Sequence, residues 1–328
     1  MQKQLFCAIM LLCTFGVTNS QHLIRVNNNE NADADYTNLQ DANDNAMDGD
    51  TLYVEGSPTA YDMVQLSKKL TIIGPGYFLN ENEMTQANGV SANVNNIYFN
   101  PGSTGSIIMG LVTSDIYVAV NDLILVRCRI QDIYINSICD NILILQNYIN
   151  NIQTLNSGII TNSIISNNLL NGIVLYSSSG SLQITNNVLI GSYWDHNISC
   201  YNASISDNII SYTTGYISTN TGNAINNNIL ATDGTNANGN QYNVVMANVF
   251  VDFNGTQGYS SDGKWQLKVG SPAIGAGLNG VDCGAFGGVS PYILSGIPAL
   301  PHIYEANIPG TAYSDSGLSC TIKVKSGK

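Results

Sequence analysis

The sequence predicts an all-β fold, a parallel β-helix in which short strands stack coil upon coil. Three observations carry that prediction. A motif about twenty residues long recurs seven times, an asparagine occupies one position of it in six copies, and apolar, largely β-branched residues flank that position at fixed distances. Constant spacing of this kind is the mark of a solenoid, because each repeat buries its apolar side only against its neighbours.

The copies begin at Leu123 (LILVRCRIQD), Ile142, Ser163, Leu182 (LQITNNVLIG), Ala203, Asn223 and Asn243. Aligned on one central residue they place Cys128, Asn147, Asn168, Asn187, Asn208, Asn228 and Asn248 in register, with steps of 19, 21, 19, 21, 20 and 20. Three residues earlier stand Leu125, Ile144, Ile165, Ile184, Ile205, Ile225 and Val245. Two residues later stand Ile130, Ile149, Leu170, Leu189, Ile210, Leu230 and Phe250. Such residues favour strands over helices. Asparagine suits the sharp turn between two strands because it tolerates the left-handed backbone region. Stacked at the strand spacing of about 4.8 Å, successive amides can donate to one coil and accept from another. The ladder is expected to run from Asn147 to Asn248. The residue before it is Arg127, Gln146, Asn167, Asn186, Asp207, Asn227 or Ala247, a variety that suggests solvent.

A leucine-rich repeat also carries an asparagine ladder, and L-x-I-x-x-N-x-L at Leu182–Leu189 fits its spacing. The rest of each period argues against it. Stretches such as GIVLYSSSGS and YISTNTGNA are short strands broken by Gly and Ser, with no room for a helix in twenty residues.

In chain order, Lys3, the apolar run Leu5–Phe15 and the small residues before Gln21 read as a secretory signal over residues 1–20. That run is too short to be a good membrane span, and no later stretch is long and apolar enough to be one. Residues 21–56 are expected to cap the first coil. Asp35 is a suitable N-cap, and Leu39, Ala42 and Ala46 form one apolar helical face. Asp48-Gly49-Asp50 then breaks the helix, and Thr51–Val54 is a strand. Coils are expected over 57–252, with a loop excursion within Tyr77–Ser106. Residues 253–328 form a Gly- and Pro-rich cap closing the last coil, with Leu318–Lys325 as a strand packed back on the solenoid.

The stretch Asp35–Gly76, DYTNLQDANDNAMDGDTLYVEGSPTAYDMVQLSKKLTIIGPG, resembles the opening of secreted right-handed parallel β-helix proteins of the pectin-lyase-like superfamily. The tail motifs GSPAIGAG, DCGAFGG and PYILSGIPALPHIYE are similar to those of uncharacterised bacterial members. The resemblance implies a right-handed solenoid, export from a bacterial cell, and acidic polysaccharide as the superfamily's usual substrate. It does not select an activity, because the superfamily holds lyases, hydrolases, esterases and non-enzymes.

Composition narrows the function. Only 10% of residues are charged and the formal net charge is −12, which argues against nucleic acid and anionic membrane as partners. Five cysteines follow residue 20: Cys128, Cys139, Cys200, Cys283 and Cys320. They contain no CxxC pair, so buried thiols are expected over a zinc site, with a Cys283–Cys320 bridge as the alternative. Between Ile97 and Asp252 there is no Glu and no Lys, and the acid and base blocks of the superfamily's hydrolases and esterases are absent.

Three clusters remain. Tyr193-Trp194-Asp195-His196 combines a sugar-stacking aromatic platform with an acid/base pair, or is a lateral loop covering a coil edge. Arg127 and Arg129 are two apart, so on a strand both project outward with Asp132 nearby. They grip a carboxylate or supply a lyase base, or they form surface salt bridges with Asp122, Asp132 and Asp140. Asp33, Asp35, Asp41, Asp44, Asp48 and Asp50 are the one place for Ca²⁺, without EF-hand spacing; capping and solvation explain them equally. Tyrosines including Tyr134, Tyr148 and Tyr176 would suit a glycan if they line one outer face. The expectation is a monomeric, secreted or surface β-helix that binds a polysaccharide or serves as scaffold, with no cofactor. The alternative is a polysaccharide lyase or glycoside hydrolase.

Overall fold

The computed structural model describes residues 21–176, 181–191, 197–311, 315 and 317–326. The expected signal segment lies outside them. The chain is a parallel β-solenoid. One sheet stacks ten short strands, beginning Leu23–Val26, Thr51–Val54 and Thr71–Ile73 and ending Leu182–Thr185, Ala203–Ser206 and Ala224–Asn226. We call it the ladder sheet. A second sheet runs from Val64–Leu66 through Val112–Val118, Arg129–Ile135, Tyr148–Thr154 and Leu169–Val174 to Ile229–Leu230. We call it the groove sheet. Ile138–Asp140 and Ile159–Thr161 form a small third face.

The ladder-sheet strands are short because each coil turns there after three or four residues, and alternation sets their facing. In Leu143–Leu145 only the middle residue, Ile144, is buried. The flanking apolar positions meet along the solenoid axis as one core, from Leu125 and Ile130 to Ile205 and Ile210.

Between the two sheets lies the two-residue turn that carries the asparagines, and its two positions divide the work. The first residue takes the left-handed conformation: φ is 55° at Arg127, 58° at Gln146, 57° at Asn167, 54° at Asn186, 60° at Asp207 and 56° at Asn227. The ladder residue itself is not left-handed. It points inward and is fully buried at Asn147, Asn168, Asn187, Asn208 and Asn228. From Asn168 to Asn240 each ladder oxygen accepts both the backbone N–H and the side-chain amide of the preceding coil; Asn168 donates both to Asn187 Oδ1, at 3.1 and 2.9 Å. Its amide also donates to the carbonyl of Ile144. Cys128 starts the series, giving its backbone N–H to Asn147 Oδ1 at 2.8 Å.

The far end departs from the expected register. Asn228 donates to Asn240 Oδ1, twelve residues on rather than twenty, and the ladder stops there. Asn248 is exposed in a 3₁₀ turn, Met246–Asn248, and Val245 is 61% exposed. The last repeat matches in letters but is not a coil.

At the other end the helix Leu39–Asn45 covers the first coils with Leu39, Ala42 and Ala46 buried. Its N-cap is Asn38, whose side chain accepts from the N–H groups of Gln40 and Asp41. Asp35 instead accepts the N–H of Arg25. The strand Thr71–Ile73 runs into Gly74-Pro75-Gly76.

The C-terminal segment does more than close the last coil. From Ala276 to Ile297 it runs back along the solenoid toward earlier coils, as a strap lying over the left-handed turn residues. Asn227 donates to the carbonyl of Ala276, Asp207 accepts the N–H of Leu278, and Asn186 donates to Asp282. Asn167 donates to the carbonyls of Ala285 and Gly287, Gln146 to Ser290 and Pro291, and Arg127 to Ile297. Of the residues expected to face solvent, Gln146, Asn167, Asn186 and Asp207 are buried beneath the strap, Arg127 and Asn227 are half-buried, and Ala247 is exposed.

A second core forms beneath the same segment. It joins Leu169, Val188, Ile209 and Ile229 of the groove sheet to Phe250, Trp265, Cys283, Ala285 and Tyr292. The excursion after Gly76 is tied into it through fully buried Asp262, which accepts from Asn82, Ser260, Tyr292 and the N–H of Ser295. Beyond the strap, Pro301–Asn307 pairs antiparallel with Thr321–Ser326. That hairpin, not the solenoid sheet, takes up the expected final strand.

Among the described residues four cysteines are buried free thiols and Cys320 is an exposed one, so no Cys283–Cys320 bridge forms. Burial pushes the thiols of Cys128, Cys200 and Cys283 up to about 12. Among the described residues no helix is long and apolar enough to cross a membrane.

Candidate functional site

The long strands of the groove sheet contain an irregularity that positions side chains. Two consecutive residues stand between inward-facing ones: Ser114-Asp115 between Thr113 and Ile116, Gln131-Asp132 between Ile130 and Ile133, Asn150-Asn151 between Ile149 and Ile152, and Asn171-Gly172 between Leu170 and Ile173. Strict alternation would send one of each pair into the core. The bend keeps both toward the outside, and register stacks them coil over coil.

The result is a polar groove of about 490 Å³, lined by Asn93, Asn95, Ser114, Gln131, Asn150 and Asn171, with Arg129 and Tyr148 beside them. Its amides are linked: Asn171 donates to Asn150 Oδ1, and Asn150 to Asp132 Oδ1 at 3.2 Å. Asn151 also donates to Asp132 Oδ1, at 3.1 Å.

Asp132 is the register partner of Asp115 on the neighbouring strand. Burial and then the Asp132 carboxylate raise the pKa of Asp115 above the ordinary carboxylate range. Tyr117 donates to Asp115 Oδ2 at 3.4 Å, while its Oδ1 is buried with no protein partner. Beside the pair stand Tyr98, Tyr117 and Tyr134, with ring centroids 4.6 and 5.1 Å apart and planes within 4° and 18°. Of the tyrosines considered for an outward row only Tyr134 belongs to this one, and its rings stack on one another. Their faces are occupied along the row, so they brace the sheet rather than offer a sugar platform.

The structure separates the residues that the sequence grouped. Arg127 and Arg129 do not share a strand. Arg127 sits in the left-handed turn, donating to Gln146 Oε1 at 2.8 Å and to the carbonyl of Ile297 beneath the strap. Burial lowers its pKa from the ordinary arginine value. Arg129 begins its strand, is exposed, and lies over the ring of Phe78 at 4.9 Å, beside the groove. Asp132 is 8% exposed and holds two amides. Tyr193, Trp194, Asp195 and His196 lie outside the described residues.

The acids near the N-terminus do not converge. Asp50 accepts the N–H groups of His22 and Met47, Asp48 that of Lys69, Asp35 that of Arg25, and Asp44 the amides of Gln40 and Asn43. Among the described residues no three His, Cys, Asp or Glu side chains gather as a metal site would require.

Two features escaped the sequence reading, and each left a trace. The residue just after the ladder position is Tyr148, Leu169, Val188, Ile209 or Ile229, apolar where an outward strand residue should be polar. That run marks the face the strap covers. Tyr98, Tyr117 and Tyr134 are spaced by 19 and 17, close to the coil period.

No protein-family model, no curated protein and no solved structure matches the chain.

Proposed function

We propose that this protein is an exported β-solenoid that binds a polysaccharide along the groove sheet. The observation that carries the reading is the groove itself, where hydroxyl and amide side chains from neighbouring coils stand in register over about 490 Å³. A linear polymer laid along the axis meets a new rung about every 4.8 Å. Amides and hydroxyls each donate and accept, which suits sugar hydroxyls. The apolar run behind Lys3 supports export, and the opening motif supports kinship with pectin-lyase-like solenoids.

Binding is favoured over cleavage on the placement of the ionisable groups. Arg127 is held in the strap clasp and Asp132 by two amides, so neither is available as a base. With Arg129 as the groove's cation and two carboxylates behind it, a neutral or amide-bearing glycan fits better than a polyuronate. Affinity electrophoresis through gels containing neutral and uronate polysaccharides tests this. Retardation should appear with a neutral polymer and fall at least fivefold in Asn150→Ala/Asn171→Ala. No retardation by any polymer, or retardation unchanged in the double variant, overturns the proposal. Release of unsaturated uronate, lost in Asp132→Asn, would instead establish the lyase alternative.

A further inference from the structure

A second cavity lies between the terminal hairpin and the strap, away from the groove. It measures about 530 Å³ and is lined by Phe286, Leu294, Ile297 and Met84 on its apolar side and by His302 and Lys325 on its polar side. We propose that it binds a small α-hydroxy carboxylic acid with an apolar body.

The argument starts from His302, which is 7% exposed. Its Nδ1 lies 3.3 Å from the carbonyl of Leu300. A carbonyl only accepts, so Nδ1 is the protonated nitrogen on that side, and in that tautomer Nε2 is an acceptor. No protein group bonds Nε2. Buried polar atoms are almost always partnered, so this one points to a donor supplied from outside the chain.

His302 borders two cavities, this one and a larger one beside Leu300 and Ile303, and strand alternation sets its side chain toward this one. His302 is the register partner of Lys325, which lines the same cavity, while the next pair, Ile303 and Val324, faces the opposite way. Among the described residues Lys325 forms no salt bridge, unlike neighbouring Lys323, which pairs with Glu305. Its ammonium asks for an anionic acceptor.

An acceptor and a cation directly opposite each other on a hairpin call for a hydroxyl and a carboxylate close together on the ligand. Glu83 also lines the wall and disfavours a second negative charge. The wall of Phe286, Leu294 and Ile297 takes the apolar remainder.

Titration calorimetry of the full chain with 3-phenyllactate tests the proposal. One saturable site is expected. 3-Phenylpropionate, which lacks the hydroxyl, and lactate, which lacks the ring, should each bind about tenfold more weakly. Lys325→Met and His302→Phe should weaken 3-phenyllactate by a similar factor. Should His302→Phe fail to fold, a shift of the His302 Nε2 resonance on adding 3-phenyllactate to the wild type replaces it. The proposal falls if 3-phenyllactate does not bind at millimolar concentration. It falls equally if 3-phenylpropionate binds as well, or if Lys325→Met leaves the affinity unchanged.

Discussion

Replacing Asn187 by Ala removes the middle rung of the ladder without adding bulk. The side chain makes bonds in three directions. Its oxygen accepts the N–H and the amide of Asn168, and its amide donates to Asn208 Oδ1 and to the carbonyls of Ile165 and Thr185. Some partners keep a second bond: Asn168 still donates to Ile144 and Ser166, and Asn208 still accepts the N–H of residue 187. The backbone N–H of Asn168 loses its only partner in a place water cannot reach, while the carbonyl of Ile165 falls back on its strand pairing alone. At about 1–3 kcal/mol for the unsatisfied buried N–H and about 1 kcal/mol for the bond lost at Ile165, the loss should be about 2–4 kcal/mol. The same change at Asn248, exposed in its 3₁₀ turn, should cost no more than about 0.5 kcal/mol. Urea denaturation followed by circular dichroism measures both, with the slope on denaturant checked for constancy. A loss at Asn187 within about 1 kcal/mol of that at Asn248 would refute the account of the ladder as a buried, fully bonded network.

Asn186→Ala should lose about 2–3 kcal/mol, combining the left-handed backbone at φ 54° with the lost bond to the carbonyl of Asp282. Asn186→Gly keeps the backbone relaxed and should lose only about 1 kcal/mol, again by urea denaturation. Burial raises the pKa of Asp207, so the folded chain holds that proton more tightly than the unfolded chain does. Its contribution is present at low pH and is lost as pH rises through the folded pKa. Asp207→Asn should therefore melt above the wild type at pH 7, with the gap closing below the unfolded Asp value of about 3.9. Asp50 runs the other way. Burial pushes its pKa up, but the N–H bonds from His22 and Met47 outweigh that, so it is lowered and acid should loosen the N-terminal coil first. Of the cysteines after residue 20, Cys320 alone should react quickly with a thiol reagent in native buffer, the buried four only after denaturation.

The coil repeat was readable because it is written in residue types whose physics is local. An apolar residue three before and two after a turn must face inward, whatever lies elsewhere in the chain. The helix face of Leu39, Ala42 and Ala46, the strand Thr51–Val54 and the ladder from Asn147 to Asn228 follow from such rules. Errors came where a local rule had two solutions. Asn38 and Asp35 are both good caps, and backbone geometry chose Asn38. Asn240 and Asn248 both offer an amide, and a shortened coil put Asn240 on the axis. The left-handed turn residues looked like a solvent column because they vary, yet Arg, Gln, Asn and Asp all bond to strap backbone, a partner that accepts many side chains.

The candidate site was less legible. Arg127 and Arg129 are two apart in sequence, but a left-handed turn between them sends one under the strap and leaves the other at the groove. Asn150 and Asn171 fall three residues after the ladder position of successive copies, but only the stacking of the coils shows that they line one groove beside Asp132 and Asp115.

Local pattern thus specified a parallel solenoid with a capped start and an internal amide ladder, because periodicity and burial are properties of neighbouring residues. Where the C-terminal segment lies was settled in three dimensions. Residues 276 and 297 bond side chains 49 and 170 positions away, and no local propensity encodes a contact at that distance. The strap needs an apolar sheet face to cover and a column of side chains to hold it, and both exist only once the coils have stacked.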